Sequence, residues 1–247
     1  MTWLKKPPAV TQQPQPEPKE SKEENTPPVA ANPSPPAPKD SLPKLTPLKP
    51  LAPHISIEPL TATTIPSFRR LNSLLLEIPY PQKFYDEILT DSVTSALTLG
   101  AFWHPTEANG SESSNGVGGK TVLVAGIRCR LLEQSALPMP AGAGASTTTS
   151  GPSKPLLYIA TLSTLSPYRG HGLATHLLQR VTRTAARDYD VGAVCAHVWV
   201  RNEEGLAWYR RRGFEVVGTD EEYYRRLRPQ GAWLVKKRVG VWDVLEG

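Results

Sequence analysis

LLYIATLSTLSPYRGHGLATHLLQRVTRTAARDYDVGAVCAHVWV, residues 156–200, decides the fold. Its first ten residues, 156–165, form an apolar run of the length and composition of a buried strand. Leu173, Leu177, Leu178, Val181 and Ala185 then recur at the spacing of one helix face, which predicts a helix over about 171–187. A second buried strand, VGAVCAHVWV (191–200), follows. Strand, helix and strand in this order make a right-handed parallel crossover.

Toward the C-terminus, Asn202 suits a helix N-cap and Gly213 the position just past a helix end, with a short helix between them. FEVVGT and GAWLVKKRV read as strands separated by the tyrosine-bearing DEEYYRRLRP. Toward the N-terminus, HISIEPL (54–60) alternates like a strand, and Phe68, Leu71 and Leu75 share a helical face with Pro66 in the first turn. EIPYP (77–81) breaks that helix, and KFYDEIL (83–89) starts another. ALTLGAFW (96–103) and TVLVAGIRCRLL (121–132) complete the strands. The class is α/β: a mixed sheet with flanking helices.

Of the 26 prolines, fifteen lie at or before Pro53. Residues 1–53 also lack glycine and carry one aromatic, Trp3. Such a segment cannot bury enough apolar surface to offset the entropy of ordering, so it is expected to be a disordered tail. The folded domain then spans 54–241, with low-complexity insertions expected near 104–120 and 133–155. No apolar run approaches the ~20 residues of a membrane span. Lys5 and Lys6 precede prolines and glutamines rather than the apolar stretch of a signal peptide. Cys129 and Cys195 sit in apolar runs and read as reduced core thiols in an intracellular protein; two cysteines build no zinc or disulfide framework. The net charge is +5, and its clusters matter more than its sum: Arg210 to Arg212, then Arg225, Arg226 and Arg228, then Lys236 to Arg238. They suit a solvated face or an anionic partner. His54, His104 and His176 read as surface residues.

Between the first strand and the helix of the deciding stretch lies SPYRGHGLATHLL. A strand entering a helix through two glycines aims successive backbone N–H groups and the positive helix end at one point, which suits a pyrophosphate. Gly170, His171, Gly172, Leu173 and Ala174 would line it. The dinucleotide fingerprint fails because Thr175 stands where its third glycine belongs, and no Gly-Lys-Ser/Thr exists for a P-loop. Arg169-Gly170-His171-Gly172-Leu173-Ala174 does match Arg-x-x-Gly-x-Gly/Ala, and so resembles the acetyl-CoA signature of the GNAT acetyltransferases. NEEGLAWYRRRGF (202–214) resembles that family's later block, with Gly205 as a departure.

Within that superfamily the chain is most similar to the branch of catalytic subunits of N-terminal acetyltransferase E, the N-alpha-acetyltransferase 50 or San branch. YIATLSTLSPYRGHGLATHLL, AHVWVRNEEGLAWYRRRGFE, EEYYRRLRP and PYPQKFYDEIL carry the resemblance, over roughly 55–240. It implies a mostly antiparallel seven-stranded sheet whose central parallel pair splays to admit acetyl-CoA. It implies that Tyr158 and His197 hold a catalytic water, that Leu162 offers backbone N–H to the oxyanion, and that Tyr209 stands near the CoA sulfur. Asn202 is then a CoA contact as well as a cap. The substrate slot would be Leu76, Glu77, Ile78, Tyr80, Tyr223 and Tyr224, shaped for an initiator methionine followed by an apolar residue. Glu77 departs from the branch's proline and either meets the α-ammonium or faces water. No metal is implied.

The chemistry agrees with that substrate. A free α-amine has a pKa of ~7.7–8.0 and a lysine ~10.4, so the lysine needs about 3.5 kcal/mol more work to become nucleophilic. A water polarised by His197 and Tyr158 therefore favours N-termini. The resemblance further implies docking on the NatA complex and the ribosome, a cytoplasmic or also nuclear location, and neither DNA nor membrane as partner. A lysine or small-amine acetyltransferase of the same fold, and a catalytically weak subunit serving as an interaction module, are the alternatives.

Overall fold

The computed structural model describes residues 48, 50–105, 120–133, 154–240 and 243. The expected tail, apart from its last few residues, and the interiors of both expected insertions lie outside the described residues. In chain order the elements are β1 (Ile55–Pro59), α1 (Ile65–Leu75), α2 (Gln82–Thr90), α3 (Ser92–Ala96), β2 (Thr98–Trp103), β3 (Val122–Leu132), β4 (Leu156–Thr164), α4 (Leu173–Tyr189), β5 (Ala193–Trp199), α5 (Glu203–Arg210), β6 (Glu215–Asp220) and β7 (Ala232–Arg238).

The strands form one seven-stranded sheet in the order β1-β2-β3-β4-β5-β7-β6. Only β4 and β5 run parallel; every other neighbouring pair is antiparallel. The mixed sheet with a parallel crossover is as the sequence predicts, and the mostly antiparallel seven-stranded arrangement with a central parallel pair is as the family resemblance implies.

Helices cover both faces of the sheet. The apolar face of α4 packs Leu173, Leu177, Leu178, Val181 and Ala185 against Val124, Ile127 and Cys129. Each buried leucine, isoleucine or valine among them contributes about 1.5–3 kcal/mol. On the other face α1 lays Phe68 over Gly126, where a Cβ would come within 2.6 Å of the ring. Gly126 and Ile127 are consecutive on β3, so their side-chain positions point to opposite faces. Tyr85 and Ile88 of α2 join Phe68 in this second cluster.

The structure corrects the sequence reading in two places. The strand expected from residue 96 begins at Thr98, because Asp91 accepts from Thr94 N at 2.8 Å and starts the short helix α3. A capping side chain outweighs the β-preference of the residues behind it. The three histidines are half-buried rather than superficial: His104 Nε2 hydrogen-bonds Ser56 Oγ at 2.8 Å, and His54 packs on the Trp103 ring. Both cysteines are free and buried, as expected. No helix among the described residues is long and apolar enough to cross a membrane.

Candidate active site between the splayed strands

Pairing between β4 and β5 ends at Tyr158↔Cys195 after three residue pairs. Beyond it β5 pairs only with β7 and β4 only with β3, so the two strands diverge. Ala160 has no β3 partner: Cys129 faces Ile159 and Arg128 faces Thr161. This is a β-bulge, which re-aims the backbone of β4 at the gap. A cleft of about 840 Å³ opens there, bounded by β4 from Ile159 to Thr164, the start of α4, the end of β5 and one face of α5. Its size suits a small-molecule ligand.

At one end lies the glycine turn. Gly170 and Gly172 both have φ of 80°, a conformation side chains disfavour. The 17-residue helix α4 starts directly after Gly172, with no side-chain cap and no acidic residue in its first turn. Its first N–H groups are therefore available to an anion. Leu173 buries its side chain in the core, so its backbone, like that of Ala174, is what it brings to the cleft. Arg169 is exposed, donating from Nε to the Thr164 carbonyl at 3.3 Å and lying 3.9 Å from Glu204. His171 is exposed and does not line the cleft; its Nδ1 lies 3.0 Å from the Arg169 carbonyl.

The flank formed by α5 holds Asn202 and Tyr209. The Asn202 side chain accepts from Gly205 N at 2.8 Å while also bordering the cleft, so the cap and the lining are compatible. A Cβ on Gly205 would meet that side chain at 2.6 Å, which accounts for glycine here. Gly213 N donates to Arg210 O and Phe214 N to Tyr209 O, the C-terminal pattern expected of Gly213. Burial pushes the Tyr209 hydroxyl above its usual range.

Arg212, which the sequence reading left in a basic cluster, lines the cleft too. It donates to Thr175 Oγ1 from Nε at 2.8 Å and lies 3.8 Å from the Trp208 ring, tying α5 to α4. Burial lowers its pKa to about 10, leaving it charged at neutral pH. The i, i+4 spacing of Trp208 and Arg212 was the available signal.

At the other end Tyr158, His197 and Tyr223 converge. Tyr158 Oη lies 3.1 Å from His197 Nδ1 and 2.5 Å from the Tyr223 hydroxyl. The resemblance implied a water held by Tyr158 and His197; here the hydroxyl and the imidazole meet directly. Tyr223 stacks on the imidazole with centroids 3.9 Å apart and planes 12° apart. Burial is the main cause that lowers His197 to about 4, helped by Arg130 and opposed by Asp220, so the ring is neutral at neutral pH. Burial, then the neighbouring Tyr223, raises Tyr158 well above the usual phenol range. His197 Nε2 is buried without a hydrogen-bond partner.

Tyr224 donates to the His197 carbonyl at 3.3 Å. Tyr80 donates to the carbonyl of bulged Ala160 at 2.9 Å, and burial raises it to about 12. Trp199 Nε1 donates to Pro229 O at 2.8 Å, anchoring the β6–β7 loop that carries both tyrosines.

Leu76, Glu77 and Ile78, between α1 and α2, border the cleft with Tyr80, Leu162 and Tyr224. Leu76 and Ile78 are half-buried and Glu77 is exposed. Tyr158 and Tyr223 instead line a second recess of about 340 Å³, which Tyr80 and Ala160 share with the cleft. Arg128 and Arg130, singled out by nothing in the sequence reading, line that recess.

Known proteins share the family profile and the fold. The profile of the acetyltransferase (GNAT) family matches residues 69–214. N-alpha-acetyltransferase 50 of Danio rerio is 25% identical over 184 residues, 74% of this chain and 88% of that protein. The probable N-acetyltransferase san of Drosophila melanogaster is 25% identical over 183 residues, 74% of this chain and 80% of that protein. Among solved structures, Arabidopsis thaliana Naa50 in complex with the bisubstrate analogue CoA-Ac-MVNAL is similar in fold, with a TM-score of 0.54, 22% identity, and 74% of this chain and 98% of that one covered. Arabidopsis thaliana NAA60 in complex with acetyl-CoA gives a TM-score of 0.60 at 16% identity over 75% of this chain and 98% of that one. With more than half of its length matched by that profile and its β4–β5 pair splayed around a glycine-turn cleft, this chain belongs to the acetyltransferase (GNAT) family.

Proposed function

We propose that this chain transfers the acetyl group of acetyl-CoA to the free α-amine of polypeptides that begin with methionine. The observation that carries the reading is the neutral His197 imidazole held against Tyr158 at the end of a cleft whose other end is the uncapped start of α4.

The chain's own residues fit acetyl-CoA. The backbone of Gly170, Gly172, Leu173 and Ala174 would hold the pyrophosphate, and a Cβ on Gly170 would meet nothing within 4 Å, so that side of the turn is open to a ligand. Arg169 supplies charge beside it, and Asn202 reaches the ligand from α5. When bound, acetyl-CoA supplies an acyl group already activated as a thioester. Leu162, beyond the bulge, directs its backbone N–H at the developing oxyanion.

As the amine attacks, its proton passes to the neutral His197 imidazole through the Tyr158 hydroxyl or through one water held by the pair, and Tyr158, kept protonated by burial, relays the proton without retaining it. An α-amine is within about one pK unit of neutrality at physiological pH, so a base as weak as a buried imidazole suffices. Tyr209, kept protonated by burial, gives a proton to the departing sulfur. A C–N bond forms, the C–S bond breaks, and CoA leaves as the thiol. Leu76 and Ile78 with Tyr224 make an apolar slot for methionine, with Glu77 at its rim and Tyr80 and Tyr223 flanking the chain that follows. Docking on NatA at the ribosome, and a cytoplasmic or also nuclear location, belong to the same proposal; their support is the resemblance to N-alpha-acetyltransferase 50.

The test is turnover of three peptides with acetyl-CoA, followed by free thiol: one beginning Met-Leu, one beginning Ser-Glu, and one N-blocked with an internal lysine. Selective turnover of the Met peptide is expected. Preferred turnover of the lysine peptide would replace the substrate, and tight CoA binding without turnover would replace the enzyme by an interaction subunit.

A further inference from the structure

The second recess lies between α2, β3 and β4, and its floor is cationic. Arg128 is buried, 3% exposed, although it carries a charge. Its Nη2 meets Glu87 Oε2 at 2.7 Å, its guanidinium lies 3.8 Å from the Phe84 ring, and its Nε is buried with no partner among the described residues. Glu87 is the one carboxylate lining the recess, and Arg128 engages it. Arg130 and Lys83, both exposed, also line the recess. Among the described residues neither has an ion-pair partner. Arg130 holds its guanidinium 4.9 Å from the Tyr158 ring, which fixes this uncompensated charge beside the reacting end of the cleft. Three cations against one acid leave the recess with two unneutralised positive charges.

We infer that this recess is a subsite for an acidic side chain at the second position of the substrate, so that Met-Glu and Met-Asp N-termini are preferred over Met-Leu and Met-Gln. The inference rests on the proposed peptide N-terminal activity and sharpens it, because the family resemblance leads one to expect an apolar second residue. In an extended peptide successive side chains point to opposite sides. With the first side chain in the slot of Leu76, Ile78 and Tyr224, the second would face the opposite side, where the recess adjoins the cleft at Tyr80 and Ala160. A carboxylate arriving there meets Arg130 and Lys83 in charge-assisted contact, whereas a leucine would leave both cations uncompensated and partly desolvated.

The experiment compares kcat/KM for peptides beginning Met-Glu and Met-Gln, identical beyond the second residue. An advantage of about tenfold for Met-Glu is expected, shrinking as salt is raised from 50 to 500 mM. In Arg130→Gln the ratio should fall toward one whatever happens to the absolute rates, and Lys83→Glu, at an exposed position, should lower it as well. Equal kcat/KM for the two peptides on the wild-type chain, or a ratio unchanged in both variants, overturns the subsite. Equilibrium binding of the same peptides to the CoA-saturated protein separates this inference from the transfer reading. Tighter Met-Glu binding without turnover refutes transfer and keeps the subsite; equal affinities refute the subsite; binding of neither peptide refutes both.

Discussion

Protonating His197 should destabilise the fold over a defined pH window. Its folded pKa is lowered from 6.5 to about 4 by burial, so between those values the unfolded chain binds a proton that the folded chain does not. Stability from this group is fully present above pH 6.5 and is lost as pH falls toward 4. At pH 5 the linkage relation gives about 2 kcal/mol, and partial solvent access of the ring reduces the expectation to about 1–2 kcal/mol. With a urea slope of roughly 2–3 kcal/mol per molar, that is about half a molar in the unfolding midpoint. The assay is urea unfolding of the wild type and of His197→Gln at pH 7.5 and pH 5. The wild-type midpoint should fall by about half a molar more than that of the variant, with equal slopes. Equal losses in the two proteins would refute the buried neutral imidazole. The same reasoning sets the kinetics: the acid limb of kcat/KM should follow the substrate amine at ~7.7–8.0, with no separate limb near 6.5.

Tyr158→Phe removes the hydroxyl shared by His197 and Tyr223 and should lower turnover by about 10²-fold, with acetyl-CoA affinity by calorimetry within twofold of wild type. Gly126→Ala drives a Cβ to 2.6 Å from the Phe68 ring and should cost about 1–3 kcal/mol, read as a Tm several degrees lower; an unchanged Tm would refute the packing argument. Gly172→Ala and Gly170→Ala share φ of 80° and should each lose about 1–2 kcal/mol of stability, with weaker acetyl-CoA binding, although the space around the two glycines differs.

Much of this was legible locally. The periodic Leu173, Leu177, Leu178 and Val181 gave α4, and two glycines between a strand and a helix marked the turn, whose positive φ at both positions came from the structure. The cap at Asn202 and the stop at Gly213 were equally local, being properties of a few consecutive residues. Helix α3 was missed because a single capping aspartate competes with a strand-like run. The bulge at Ala160 was not legible, since it exists only in the register between β3 and β4. Arg128 was read within an apolar strand; its burial depends on Glu87 and Phe84, both supplied by α2.

The sequence by itself determined most element types, the parallel crossover and the glycine turn, because these follow from periodicity and backbone stereochemistry over short spans; the family was legible as a resemblance carried by the motifs at 169–174 and 202–214. Tertiary structure alone decided which side chains meet. Tyr158 and His197 are 39 residues apart, Tyr158 and Tyr223 are 65 apart, and Tyr80 bonds a carbonyl 80 residues away. Those meetings depend on where strand pairing stops, and the neutrality of His197 depends on burial, which accumulates from neighbours that are distant in the chain.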